Sequence, residues 1–274
     1  MSTLKKKQLQ LTNNNYYSDK ANQEYISVSQ YKDFFGTLGY KGCEAQALAK
    51  IRGEYKEEPS TALLVGSYVD SYFEGTIEEF KNEHPEILKK DGTLKAEYIK
   101  ADTMIERCKR DNKFMQYMSG KKQVIMTAEL FGSMWKIKMD SYIEGKAIVD
   151  LKTVDDMYKA TYTKDSGKLN FIQARGYDFQ LAIYQKVVEA NTGKRLPCFI
   201  AAVDKKDKPA IEIISLSQGE LDGTLAGLEI GIKRIKLLKS GEVQPDRCGH
   251  CDFCKDTKVI HKPISMSALL EIEG

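Results

Sequence analysis

The chain has 274 residues, 42% hydrophobic and 30% charged, with a net charge of +3. This is ordinary globular composition, and no apolar run approaches the ~18 residues a membrane helix needs, which excludes a helical membrane protein. The small positive balance does not announce a nucleic-acid partner, so any basic surface must be local. The opening MSTLKKKQLQLTNNN carries charge with no apolar core behind it and is no secretory signal, so a cytoplasmic protein is expected.

Residues 1–24 are polar and Asn-rich and end near the pair Tyr16-Tyr17, which predicts a tail or loosely docked arm. Residues 25–274 predict one domain: a helical part over 25–120, a core over 121–240 and a cysteine-rich segment over 241–274. Ser29 is placed to cap a first helix that Gly36 or Gly39 ends, and a second runs from Cys43 to about Arg52 with Gly53 beyond it. After Pro59 a third helix reads STALLVGSYVDSYFEG, with Leu63, Leu64, Tyr68, Tyr72 and Phe73 at core spacing. Gly66 inside it costs about 1 kcal/mol relative to Ala, which predicts a close approach of backbone or DNA. Asp70 follows one turn later on the same face. The charged helical stretch 76–120 fits a lid or part of a channel.

A strand, QVIMTAELF, leads into Ala128–Thr153, which reads as three short strands joined at Gly132-Ser133 and Glu144-Gly145. Side chains alternate across a strand, so Asp150 and Lys152 share one face while Val149 and Leu151 share the other. Folding back at Glu144-Gly145 sets Asp140 opposite Val149 or Asp150, within about one residue. Glu129 falls near Lys136 across the first turn, and Trp135, Ile137 and Met139 predict core. Two carboxylates with the Leu151 carbonyl suit Mg²⁺ through hard oxygen ligands, and Lys152 can orient or deprotonate a water or balance developing negative charge. That chemistry is phosphodiester hydrolysis, with Lys136, Lys138, Lys146 and Lys152 as a local basic surface. The competing reading is a solvated strand face.

Residues 153–169 read as a connection able to contact DNA. The next helix, from about Asn170 to Glu189, carries Gln180 and Tyr184 at i, i+4 on one face. CFIAAVDK and AIEIISLS form a hairpin extending the sheet, and Ser217 with Glu220 makes a capping box opening a helix to about Lys239. Cys248, Cys251 and Cys254 are spaced C-x-x-C-x-x-C, which in a cytosolic chain points to metal. Cys43 and His250 are the candidates for a fourth ligand, and four thiolates suit tetrahedral zinc. Cys108 and Cys198 sit in apolar contexts and predict core.

Asp140 followed by Asp150-Leu151-Lys152 resembles the PD-(D/E)xK nuclease motif, with Met139 in the proline position. Tyr177-Asp178-Phe179-Gln180-Leu181-Ala182-Ile183-Tyr184 resembles the Gln and Tyr helix of the RecB-like branch. Gly66-Ser67-Tyr68-Val69-Asp70 resembles its G-x-x-x-H element, with Asp70 in the histidine position. The resemblance implies an α/β fold, a mixed central sheet flanked by helices, of the restriction-endonuclease-like kind. It implies Asp140, Asp150 and the Leu151 carbonyl as ligands of Mg²⁺ or Mn²⁺, Asp70 and Glu129 as candidate further ligands, and Lys152, Gln180 and Tyr184 as catalytic or substrate-positioning groups. RecB-like nucleases with an iron-sulfur cluster carry one cysteine before the core and three after it. Cys43 with Cys248, Cys251 and Cys254 resembles that arrangement and implies a 4Fe-4S cluster, with Zn²⁺ as the alternative.

The chain also resembles phage exonucleases of the exodeoxyribonuclease VIII kind. This implies digestion of linear double-stranded DNA in recombination, a single-strand annealing partner, a ring-shaped homo-oligomer, and a phage or prophage origin in a bacterial host cell. The alternatives are a RecB-like end-processing nuclease of the CRISPR-associated type and a catalytically weak DNA-binding module.

Overall fold

The computed structural model describes residues 8–267, and the central stretch predicted as three strands, with the strand leading into it, forms four. β1 (Val124–Leu130) and β2 (Ser133–Met139) pair antiparallel across Phe131-Gly132, both at positive φ, 53° and 71°, as a tight two-residue hairpin requires. The strand breaks at Asp140. β3 (Ser141–Ile143) then turns back onto β4 (Ala147–Val154) in a different sheet. The stretch read as a plain connection contains a small hairpin of β5 (Thr161–Thr163) and β6 (Gly167–Leu169). β7 (Cys198–Asp204) runs parallel to β4 and antiparallel to β8 (Ile211–Leu216), so the central sheet is mixed, in the order β3-β4-β7-β8.

Helices flank this sheet. α1 (Asp19–Glu24), α2 (Val28–Phe35) and α3 (Glu44–Arg52) come first, then α4 (Thr61–Glu74), α5 (Ile77–Glu83), α6 (Ala96–Lys109) and α7 (Asn112–Tyr117). α2 is capped by Ser27 rather than Ser29 and closed by Gly36. The helix predicted from Asn170 to Glu189 is two, α8 (Phe171–Arg175) and α9 (Tyr177–Thr192), because Gly176 between them has φ of 61°. That conformation strains any residue with a Cβ. The capping box at Ser217 forms, but its helix also divides, into α10 (Gln218–Gly223) and α11 (Leu228–Ser240), with α12 (Asp252–Asp256) after it. No helix among the described residues is long and apolar enough to cross a membrane.

Strand alternation splits the core in two. Ile148, Ile200 and Ala202 pack with Leu181 and Ile183 of α9 and with Trp135 and Ile137 of β2. Val149, Leu151, Ala201 and Val203 pack on the opposite face with Tyr68 and Val69 of α4, Met104 of α6 and Phe114 of α7. Leu63, expected in that core, is 60% exposed, since Val65, Tyr68, Val69 and Phe73 form the buried stripe of α4. Asp150 and Lys152 therefore leave β4 on the side of α9.

The described part of the predicted tail, residues 8–24, is docked. Tyr16 is buried, and the Lys136 ammonium donates to its carbonyl and to Asn22 Oδ1 at 2.8 Å. Lys239 donates to the Asn22 and Tyr25 carbonyls, each at 2.8 Å, and Ile26 bridges to Trp135 along β2. The arm is held by backbone acceptors on buried ammonium groups, a device that leaves no trace in hydrophobic patterning. Residues 1–7 and 268–274 of the predicted end segments lie outside the described residues.

Candidate active site and four-cysteine site

β4 carries two predicted site residues into one cavity of about 600 Å³. Asp150 is 2% exposed and accepts a hydrogen bond from Gln180 Nε2 at 2.7 Å, while Lys152 Nζ lies 2.7 Å from its other oxygen. The break between β2 and β3 frees Asp140 from either ladder. It turns to β4 instead, where its Oδ2 accepts the Leu151 N–H at 2.9 Å. In an extended strand a residue's N–H and C=O leave by the same edge, so the Leu151 carbonyl also faces this side.

Asp70 lines the same cavity from α4. A Cβ on Gly66 would stand 3.1 Å from Thr153 Oγ1, so the glycine lets α4 press against the end of β4. The close approach predicted for Gly66 is thus to protein. Tyr184 also lines the cavity, but its hydroxyl donates to the Lys138 carbonyl at 3.1 Å and so braces β2 two residues before Asp140.

Burial and the neighbouring Asp150 charge push the Asp140 carboxyl up to about 7. Burial, with Asp140 next, holds Asp70 well above the usual carboxylate range. Burial works to lower Lys152, but the Asp150 and Asp140 carboxylates outweigh it and keep the ammonium above its ordinary value. Six carboxylates line the cavity, Asp70, Glu74, Glu79, Glu83, Asp140 and Asp150, against two ammonium groups, Lys138 and Lys152. Crowded carboxylates of this kind resist ionising together unless a cation joins them. Asp150 Oδ2 is buried and accepts no hydrogen bond of good geometry, its close neighbour being the Lys152 ammonium. An all-oxygen donor set in which one buried carboxylate oxygen meets only the Lys152 ammonium fits a hard divalent cation such as Mg²⁺ or Mn²⁺.

Glu129 is not part of this arrangement. The register pairs it with Met134 while Thr127 faces Lys136, and its side chain is exposed. Two-residue turn geometry at Phe131-Gly132 sets this pairing, one residue away from the predicted turn. Of the predicted basic group, Lys138 and Lys152 line the cavity, Lys136 is buried under the arm, and Lys146 sits exposed at the β3–β4 turn. Sequence reasoning missed Glu74, Gln123 and Tyr177, and it took Tyr17 only as part of the arm. Glu74 stands one turn beyond Asp70, a signal that was present, and accepts from Gln123 Nε2. The Tyr177 ring lies 4.7 Å from Lys152 Nζ.

Gln180 is the donor that orients Asp150. Gln180→Leu is expected to lower metal-dependent activity about 10- to 100-fold, the usual cost of losing a hydrogen-bond partner behind a metal ligand. A divalent-ion titration of initial rates checks this, with the half-saturating concentration expected to rise and the melting temperature to stay within a few degrees.

The four predicted cysteines converge. Cys43 Sγ, at the N-cap of α3, lies 3.6 Å from Cys254 Sγ, and the sulfurs of Cys43, Cys248, Cys251 and Cys254 all fall within 4.8 Å of one another. Cys248 Sγ accepts N–H groups from His250 and Cys251 at 3.4 and 3.3 Å, so His250 serves through its backbone and Cys43 is the fourth sulfur. A bidentate Arg234–Glu44 pair, at 2.8 and 2.6 Å, ties α11 to α3 beside them. Cys108 and Cys198 are buried in the core, as expected.

A family model described as "PDDEXK-like domain of unknown function (DUF3799)" matches residues 27–257. No curated protein matches the chain. Among solved structures the chain is similar to one described as "Putative exonuclease" from Eubacterium rectale, 52% identical, with a TM-score of 0.93 over 96% of this chain and 98% of that one. A second, SSO0001, is 16% identical over 75% of this chain and 89% of that one, with a TM-score of 0.29.

Proposed function

The chain belongs to this PDDEXK-like family, and we propose that it is a divalent-metal-dependent deoxyribonuclease that digests linear double-stranded DNA from its ends. The observation that carries the reading is the convergence of Asp140, Asp150, Lys152 and Gln180 on one carboxylate-lined cavity. Asp140 and Asp150, with the Leu151 carbonyl and Asp70, would hold the cation. When bound, it supplies Lewis-acid stabilisation of charge on the scissile phosphate. Lys152 Nζ sets a positive charge beside the reacting phosphorus and holds the attacking water by hydrogen bond. Gln180 fixes the Asp150 carboxylate, and Tyr184 fixes the strand that ends in Asp140. The description of the 52%-identical structure as a "Putative exonuclease" supports end-directed cutting. Resemblance to phage recombination exonucleases extends the reading to an oligomer that hands its exposed strand to an annealing protein.

The sulfur spacing supports a single tetrahedral zinc at the cysteines over a 4Fe-4S cluster. With Zn–S near 2.3 Å, a tetrahedron sets its sulfurs about 3.8 Å apart; Cys43 and Cys254 Sγ stand 3.6 Å apart and every pair among the four lies within 4.8 Å. A cube puts each thiolate on a different iron, and the iron–iron edge then spreads the sulfurs further.

End-labelled linear duplex is incubated beside a closed circle of the same sequence with Mg²⁺ or Mn²⁺. Loss of the linear form alone is expected. Cutting of the circle would replace the end-directed reading with an endonuclease, and binding without cleavage under either ion would overturn the hydrolytic one.

A further inference from the structure

Tyr17 lines the active-site cavity and is 69% exposed, so the residue stands on the cavity wall open to solvent. Its chain is fixed on both sides. Buried Tyr16 meets it edge-on, with centroids 4.9 Å apart at 83°, and Asn22 Nδ2 donates to the Tyr17 carbonyl at 3.2 Å. Asn22 is in turn held by Lys136 through its side chain and by Lys239 through its carbonyl. Burial brings Lys136 down to about 8 and Lys239 to about 7, so two ammonium groups have been taken out of water to hold this segment. Lys138 Nζ stands 4.8 Å from the Tyr17 ring centroid and also lines the cavity. An immobilised, exposed ring beside a cation, on the wall of a site that processes phosphodiesters, has the makings of a nucleic-acid stacking platform.

We propose that Tyr17 stacks on an unpaired nucleobase of the strand end whose backbone enters the cavity, with Lys138 on a neighbouring phosphate. The proposal rests on the nuclease reading and narrows its substrate to an end at which at least one base has left the duplex. Every base has a π face, so the platform grips any sequence, as an end-digesting enzyme needs. Because the arm is pinned before DNA arrives, little ordering cost falls on binding.

The test measures binding of duplexes carrying an abasic nucleotide at each of the first four positions from either end. The full chain is used without added divalent ion and without chelator and, as Lys152→Ala, in Mg²⁺. At one position, loss of the base should weaken binding to the otherwise unaltered protein about tenfold. Tyr17→Ala should show the same weakening on the intact strand and no further loss on the abasic one, while Tyr17→Phe restores the base dependence. Equal base dependence in Tyr17→Ala and the parent, with cleavage of linear DNA intact, overturns the stacking role and leaves the nuclease standing. A parent chain that neither binds nor cuts DNA overturns both.

Discussion

Lys152→Ala and Asp150→Ala are each expected to lower hydrolysis of linear DNA by about 10³-fold, the upper range for removing one preorganised charge from a reacting centre. The two variants should differ in other respects. Lys152 is the nearest counter-ion to buried Asp150, 2.7 Å away. Its removal leaves the Asp150 and Asp140 carboxylates facing each other, and uncompensated buried charge costs about 3 kcal/mol or more. Asp150→Ala instead relieves the repulsion that raises Asp140. The expected result is therefore equal loss of activity with a lower melting temperature only for Lys152→Ala. Initial rates taken well below both transitions, with thermal melts in parallel, check the pair. Full activity in either variant would remove that residue from the reaction.

Cys254→Ser, which would break up the proposed four-sulfur zinc site, should have the largest effect on stability. Structural zinc contributes on the order of 10 kcal/mol or more to folding, comparable with the whole stability of an ordinary domain. Here the ion would join Cys43, ahead of the catalytic strands, to three sulfurs at the far end of the described chain, closing a long loop. The expected outcome is a fall of more than 10 °C in melting temperature, with proteolysis concentrated in α3 and α12, the elements that bear Cys43 and Cys254. The Arg234–Glu44 pair and the Tyr55–Phe253 contact should hold part of the junction. Metal analysis of the purified chain should find one zinc and no colour. Iron with absorbance near 400 nm would overturn the zinc reading in favour of a cluster.

Local chemistry carried a good deal of this protein in its sequence. The glycines that close α2, α3 and α4, the Ser217 capping box and the alternation of β4 were legible because each depends on residues a few positions apart. The pairing of Asp140 with the start of Asp150-Leu151-Lys152 was legible for the same reason, since a short turn fixes which residues can meet. The spacing of Cys248, Cys251 and Cys254 raised the expectation of a metal site, and the fold brings Cys43 to them.

Errors arose where a single backbone conformation or a distant contact decided. Gly176 and Gly227 divide helices whose side-chain periodicity runs on past the break, because periodicity records what packs and not the local φ. Glu129 missed its predicted partner because the hairpin turns one residue earlier than Gly132-Ser133, and a one-residue slip changes every cross-strand neighbour. The sequence by itself determined that Asp150 and Lys152 share one face of their strand and that a short turn brings Asp140 to them. Only the tertiary structure decided that α4 brings Asp70 and Glu74 to them and that a polar arm sets Tyr17 on the cavity wall. These contacts join residues more than 60 positions apart and rest on backbone carbonyls and a missing Cβ, which no pattern of side-chain polarity encodes.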